Sequence, residues 1–230
     1  MVDFLGPAEW AAVWLSVKVA LWATLISLPL GIGVALLLAR GRFWGRGLLN
    51  VLVHLPLVMP PVVTGYLLLL GFGRNGPLGQ AFEDLFGLIF AFRWTGAALA
   101  AAIMGFPLMV RAIRLGVEAV DRNLEEAAAT LGASRLRVFT TITLPLILPG
   151  IIVGAVLGFA KAMGEFGATI TFVSNIPGQT RTIPLAIDLL LEVPGGEPLA
   201  LRLAVVSIVI AMGALIISEL LSRRLRGGGL

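Results

Sequence analysis

The chain has 230 residues, of which 58% are hydrophobic and 13% charged, and its mean hydropathy is +1.00. One soluble core could not bury so much apolar surface, so we predict an all-α polytopic membrane protein covered in part by lipid. The net charge of +4 lies in short connections between apolar runs, which indicates membrane topology and argues against nucleic-acid binding. With no cysteine and one histidine, the sequence excludes disulfides, thiolate metal sites and multi-histidine metal clusters.

Five apolar runs are long enough to cross a bilayer, which takes about 20 helical residues. They are residues 11–39, 48–72, 95–113, 144–163 and 199–221. A sixth stretch, 183–193, is only about half a span long and contains Asp188 and Glu192, so we interpret it as a re-entrant or interfacial element. An alternative with six spans, in which 168–192 is a membrane helix, stays open.

Successive connections between the spans alternate between basic and acidic residues. Basic residues concentrate in 40–46, 111–137 and 223–226, whereas acidic residues mark 83–84 and 192–197. By the positive-inside rule, the amino terminus is expected outside and the carboxyl terminus in the cytoplasm. Termini on opposite sides require an odd number of spans, which favours five.

The connection between the third and fourth spans, residues 118–143, is too polar to cross a membrane and is predicted to hold two short helices. Asn123 is a favourable N-cap, and Glu126 three positions later completes a capping box that would start the first helix there. Gly132 suits the left-handed residue that ends a helix, and Ser134 can cap the second helix.

The first of these helices, 124–131, spans about two turns and is marginal in water by itself. Its apolar residues are Leu124, Ala127, Ala128 and Leu131. They predict either a helix that lies in the groove of a cytoplasmic partner or a surface helix that packs on its own chain. The residues alone leave both interpretations open.

The same segment carries a family pattern: Glu126-Ala127-Ala128, three residues, Gly132, nine residues, then Ile142-Thr143-Leu144-Pro145. It resembles the EAA motif of the permeases of ATP-binding-cassette importers. The resemblance implies a type I importer permease fold of five or six spans, with a cytoplasmic coupling helix that docks on a separate ATPase. The coupling residues that it implies are Glu125, Glu126, Ala127, Ala128, Gly132, Leu144 and Pro145.

Four further segments resemble the molybdate permeases, with the sulfate and thiosulfate permeases as near relatives. They are residues 54–66, 106–114, 164–171 and 175–184, of which the last is most similar to the molybdate branch. The resemblance implies the channel-forming subunit of an ATP-driven molybdate importer. The alternatives are a permease for sulfate, tungstate or another oxyanion and, less favoured, a secondary transporter, which would show inverted repeats.

The resemblance also implies the partners: a second copy of the chain, two ATPase subunits and a periplasmic molybdate-binding protein. No P-loop pattern is present in the sequence, so ATP and magnesium are expected on the ATPase, with no cofactor in this chain. We therefore expect a permease subunit that is not itself an enzyme. It would form a single transmembrane domain over residues 1–230 in the lipid of a bacterial inner membrane.

Polar residues inside membrane spans are costly and are candidates for the transport path. Lys161 and Glu165 would lie one helical turn apart if the fourth span continues. They predict either a weak oxyanion site on the path or an internal ion pair. Pro60 and Pro61 are predicted to bend the second span, as pore-lining helices often are.

Four polar residues follow the fourth span. They are Thr169, Thr171, Ser174 and Asn175. Their hydroxyl and amide donors could line an outer gate for an anion, and the alternative is a polar loop that leaves the membrane.

Overall fold

The computed structural model describes residues 4–227, apart from the side chains of 223 and 225–227, and its regular structure in that range is helical. The elements are α1 (Pro7–Arg40), α2 (Arg46–Val58), α3 (Pro61–Phe72), α4 (Pro77–Phe86), α5 (Trp94–Glu118), α6 (Arg122–Thr130), α7 (Arg135–Val138), a π turn (Phe139–Thr143), α8 (Leu144–Met163), α9 (Gly167–Val173), α10 (Ile183–Glu192) and α11 (Glu197–Gly227). The predicted all-α membrane protein is confirmed.

Four helices in the described range are long and apolar enough to cross a membrane by themselves. They are α1, α5, the continuous helix Arg135–Met163 and α11. The pair α2 and α3 passes the same test only as a bent unit, with an angle of 114° at the break. The predicted span over residues 48–72 is therefore divided into two helices.

Two prolines explain the break. Met59, which precedes Pro60, is extended (φ −72°, ψ 142°), as expected of a residue before proline. Pro60 and Pro61 have no N–H to donate to the preceding turn, so α2 stops at Val58. Pro61 then opens α3, a position in which its fixed φ favours the helix. The predicted bend is confirmed and is large enough to divide the span in two.

Contacts between helix ends give the direction of each long helix. Arg40, at the end of α1, donates to the carbonyl oxygens of Val117 and Val120 at the end of α5, so these helices run parallel. Arg202, near the start of α11, donates to the carbonyl of Phe4, which places α11 parallel to α1. We call the end that contains Arg40 and Glu118 the coupling end and the opposite one the far end.

Helix α8 runs antiparallel to α5. Because α1 and α5 are parallel, the intervening α2 and α3 must return the chain from the coupling end to the far end. Val53 of α2 belongs to the apolar core at the coupling end, whereas Leu68 of α3 belongs to the core at the far end. The pair thus counts as one crossing, which gives five. Residues 168–192 contain most of α9 and all of α10, helices of 7 and 10 residues that are too short to span, so the six-span alternative is wrong.

Glycines hold α5 and α8 together. Gly150, Gly154 and Gly158 recur every fourth residue on one face of α8. A Cβ on Gly150 would lie 3.1 Å from the Cα of Gly116, and one on Gly105 would lie 3.0 Å from the carbonyl oxygen of Gly158. Small residues at this spacing let two helix backbones approach closely, which is how membrane helices gain packing energy in lipid.

Candidate functional site: the coupling segment and the helix breaks

Helix α6 begins two residues earlier than the sequence predicts. Its N-cap is Asp121, whose carboxylate accepts a hydrogen bond from the N–H of Asn123 at 2.9 Å. The predicted cap at Asn123, with a capping box closed by Glu126, is therefore wrong. A carboxylate caps a helix as well as an amide does. Its negative charge also interacts favourably with the positive end of the helix dipole.

The end of α6 agrees with the sequence. Gly132 has φ +85°, the left-handed conformation expected of a residue that ends a helix. Ser134 caps α7, since its hydroxyl accepts from the N–H of Arg137 at 3.3 Å. The second predicted helix is not a separate element, because α7 continues through the π turn into α8 as a 29-residue helix, Arg135–Met163.

The surface of α6 is open in the described part of the chain, and the helix has no buried residue. Glu126 and Ala127 are exposed and Ala128 is half-buried. The leucines on either side, Leu124 and Leu131, are exposed as well, Leu131 to 89%. The segment therefore presents apolar surface that its own chain does not cover.

The remaining predicted coupling residues lie where the π turn joins α8. Leu144 is half-buried and Pro145 exposed. The N–H of Leu144 bonds to the carbonyl of Phe139, five residues back. Pro145 has no N–H for the preceding turn, and the wider π turn accommodates that loss.

Glu125 connects α6 to the rest of the coupling end. One carboxylate oxygen lies 3.4 Å from Nη1 of Arg40, and the other accepts from the hydroxyl of Thr143 at 2.7 Å. The sequence indicated Glu125 but neither partner. In the sequence, Arg40 is only one of the basic residues that indicate membrane topology, and no local spacing connects it with Glu125.

The break between α2 and α3 and the break between α8 and α9 lie beside each other, away from α6. The break between α8 and α9 spans Gly164–Phe166, and a Cβ on Gly167 would lie 2.7 Å from Cβ of Pro61. A Cβ on Gly65 would lie 2.5 Å from the carbonyl of Ala168, so α3 and α9 cross at close range. Pro60 and Pro61 are thereby brought beside the segment that carries Glu165.

Lys161 and Glu165 form an ion pair of 2.7 Å between Nζ and Oε2. Helix α8 ends at Met163, so the condition of a continuous helix from Lys161 to Glu165 is not met. Glu165, whose side chain is 2% exposed, instead reaches back to Lys161 and also accepts from the N–H of Ala168 at 3.1 Å. Both carboxylate oxygens therefore have partners, as a buried charge requires.

The predicted gate threonines lie inside α9. Thr169 is buried, and Thr171 is half-buried with its hydroxyl donating to the carbonyl of Gly167 at 2.9 Å. Thr64 of α3, one residue before the crossing glycine, is buried with a hydroxyl that has no hydrogen-bond partner among the described residues. Thr64 carries no signal in the sequence, because a hydroxyl without a partner is visible only in three dimensions.

The loop after α9 is held by its own polar groups. Ser174 has φ +60°, and its carbonyl accepts from the hydroxyl of Thr180 at 2.7 Å. The amide of Asn175 donates to the carbonyl of Leu185 at 2.8 Å, and its oxygen accepts from Nε of Arg181 at 2.8 Å. These contacts fix the path from α9 to α10 as a structured loop.

The class of the protein follows from comparison with known families. The family described as "Binding-protein-dependent transport system inner membrane component" matches residues 27–227. This chain belongs to that family, and the predicted membership of the importer permeases is confirmed.

Particular relatives are similar over nearly the whole chain. The molybdenum transport system permease protein ModB of Escherichia coli K12 is 63% identical over 219 residues, 95% of this chain and 96% of that protein. The protein of the same name from Haemophilus influenzae is 55% identical over 95% of each chain. The sulfate transport system permease protein CysW of Synechococcus elongatus is 37% identical over 75% of this chain and 62% of that one.

Solved structures share the fold. A chain of a bacterial ABC transporter involved in the import of the acidic polysaccharide alginate superimposes with a TM-score of 0.74 at 19% identity, covering 96% of this chain and 81% of that chain. A chain of the MetNI methionine ABC transporter gives 0.67 at 12% identity, covering 98% and 99%. The predicted importer-permease fold is confirmed.

Proposed function

We propose that this chain is the channel-forming subunit of an ATP-driven molybdate importer. The observation that carries the proposal is the 63% identity over 95% of the chain with the E. coli molybdenum permease. The sulfate permease named above is less similar, at 37% over 75% of the chain, which favours molybdate over sulfate. Sulfate or tungstate remains the alternative substrate.

The proposed energy source is a separate ATPase that docks on α6. The exposed apolar side chains of Leu124 and Leu131 support docking, because an uncovered apolar patch on a short helix favours burial against a partner. We assign Glu126, Ala127, Ala128, Gly132, Leu144 and Pro145 to this coupling surface, and Glu125 to coupling as the residue that attaches α6 to its own chain. The only lysines of the sequence, Lys18 and Lys161, do not follow a glycine, so ATP and magnesium are assigned to the partner and catalysis to the partner alone.

The proposed assembly contains two copies of this chain, two ATPase subunits and a periplasmic molybdate-binding protein. The coupling end faces the cytoplasm, which places the start of α1 outside and the end of α11 inside. This orientation is supported by the basic residues at that end, among them Arg40, Arg46 and Arg135. The chain forms one transmembrane domain in the inner membrane.

We place the transport path at the meeting of the two helix breaks. Irregular backbone at membrane depth is tolerated where it is buried in protein or lines a cavity, and Pro60, Pro61 and Glu165 lie at such breaks. Lys161 is about one-third exposed, so its ammonium can still attract an anion while Glu165 weakens retention. Thr169, Thr171, Ser174 and Asn175 are assigned to the far-end gate because α9 and the loop after it follow the break beside Glu165.

Substrate choice is tested with the complex reconstituted in proteoliposomes together with its binding protein. We expect molybdate to stimulate ATP hydrolysis and enter the vesicles, with sulfate inactive at the same concentration. Stimulation by sulfate instead would favour the alternative substrate. Uptake driven by an ion gradient without ATP would contradict the proposed class.

The docking role of α6 is tested in the same vesicles with Ala128→Asp and Gly132→Pro. Both variants should leave the permease folded while uptake is lost relative to ATP hydrolysis. The first places a charge on the docking face, and the second forbids the left-handed φ of +85°. Normal uptake by both variants would refute docking through α6.

A further inference from the structure

We propose that Glu125 is a positioning residue that fastens the coupling helix α6 to α1, α5 and the start of the α8 helix. Through this attachment a displacement of α6 moves the membrane helices rather than α6 alone. The inference rests on the proposed function, since an ATPase must displace α6. It goes further in naming the side chains that transmit the displacement.

The attachment is made by one carboxylate with two partners on different elements. Glu125 contacts Arg40 of α1 at 3.4 Å and the hydroxyl of Thr143 in the π turn at 2.7 Å. Arg40 in turn donates to the carbonyls of Val117 and Val120, each at 3.3 Å. A guanidinium can do both at once because its five N–H donors lie in a fixed fork. Four segments therefore meet at one charged contact.

The rest of α6 offers little other attachment. Among the described residues, Glu125 is the one α6 side chain with a hydrogen bond or ion pair to another element. The hydroxyl of Thr130 bonds only within α6, to the carbonyl of Ala127. No residue of α6 is buried. Without Glu125, no side-chain hydrogen bond or ion pair among the described residues would join α6 to the membrane helices.

The π turn determines the direction of Thr143. Each α-helical residue rotates the side-chain direction by about 100°, so the extra residue of a π turn changes which side chains face α6. Thr143 is the last residue of the turn and is 5% exposed, with its hydroxyl aimed at Glu125. π turns inside α-helices recur at functional sites, and this one carries the hydrogen bond that joins α6 to α8.

The experiment measures anion taken up per ATP hydrolysed by the reconstituted complex with molybdate as the substrate. The variants are Glu125→Gln, Arg40→Gln and the double variant. The matched control is Glu118→Gln, which breaks an ion pair of 2.7 Å between Arg114 and Glu118 inside α5 and so separates no elements. Both carboxylates are partly exposed, Glu125 to 23% and Glu118 to 40%.

We expect each coupling variant to retain its ATPase subunits on purification while the uptake ratio falls about two- to thirty-fold. The double variant should be no worse than the more affected single one, since both act through one contact. The control should keep the wild-type ratio. Should Glu125→Gln fail to fold, Thr143→Val tests the same attachment from the α8 side.

Three results would overturn the inference. They are an unchanged ratio in both single variants, an equal fall in the control, and loss of the ATPase from Glu125→Gln, which would make Glu125 a docking contact. Failure of the proposed function itself is visible earlier, in wild-type complex that takes up no molybdate with ATP. That outcome would remove the basis of the inference as well.

Discussion

The α5–α8 crossing and the α6 segment contrast in how they use small residues. At the crossing, glycines such as Gly116 and Gly150 allow two helix backbones to approach closely. In α6, Ala127 is exposed and Ala128 is half-buried, and no residue of the helix is buried.

Under the proposed function, this difference separates residues that hold the fold from residues that contact the ATPase. The backbone contacts at the crossing are made within one chain, so its substitutions should act on folding. The coupling segment keeps its apolar surface open, so its substitutions should act on assembly and transport. Four substitutions test that division, in order of decreasing expected effect.

The largest effect is expected from Gly150→Leu in α8. Its Cβ would lie 3.1 Å from the Cα of Gly116, and backbone atoms cannot move aside as a side chain can. We expect a cost of about 3 kcal/mol or more and a large loss of folded protein, measured by size-exclusion chromatography and thermal unfolding in detergent. Gly33→Leu in α1 is the matched control, because a Cβ there meets nothing within 4 Å. Equal losses in both would contradict the packing argument.

A smaller loss of stability is expected from Lys161→Met. The variant leaves the buried carboxylate of Glu165 without its ion-pair partner, which should lower the free energy of unfolding by about 2 kcal/mol. Lys161→Arg keeps the charge and serves as the control. Thermal unfolding measures the stability of both variants. Full stability of the methionine variant would show that the fold does not depend on this ion pair.

Leu131→Asp should spare stability and impair transport. Leu131 is 89% exposed, so the unfolding free energy should change by no more than about 0.5 kcal/mol. Uptake should fall about tenfold, which corresponds to a loss of about 1.4 kcal/mol of docking free energy. Leu85→Asp in α4 is the control, since that leucine is 74% exposed at the far end and should leave ATPase retention unchanged. A coupling defect confined to Leu85→Asp would reverse the assignment of the two ends.

The smallest effect concerns the cap of α6. Asp121→Ala removes the acceptor for the N–H of Asn123 and should weaken the first turn by about 1 kcal/mol. Asn123→Ala should have almost no effect, although the sequence alone favours Asn123 as the cap. Hydrogen exchange of the α6 amides compares the two, and the opposite ranking would contradict the observed cap.

Local signals predicted the parts of the molecule that depend on neighbours in sequence. The apolar runs, the left-handed Gly132 and the cap at Ser134 follow from span length and residue chemistry. The cap at Asp121 was missed because two favourable cap residues stand two positions apart, and the sequence does not say which turn forms first.

Contacts between distant segments were not predictable in the same way. The α8 glycine repeat is visible in the sequence, but its partner glycines on α5 are identified only by the antiparallel packing. The same holds for Arg40 as the partner of Glu125. Likewise, Pro60 and Pro61 predict a bend, but its angle of 114° and the crossing of α3 and α9 at Gly65 are visible only in the structure.

The sequence by itself determined that the chain is a helical membrane protein of the importer-permease family, and it predicted a coupling role for residues 118–143. It did so because hydropathy, charge placement and motif spacing are properties of consecutive residues. Only the tertiary structure decided that the second span is broken, that Glu165 closes back on Lys161 and that Glu125 joins several helices. Each of these depends on which helices become neighbours, and that is fixed by packing across the whole bundle.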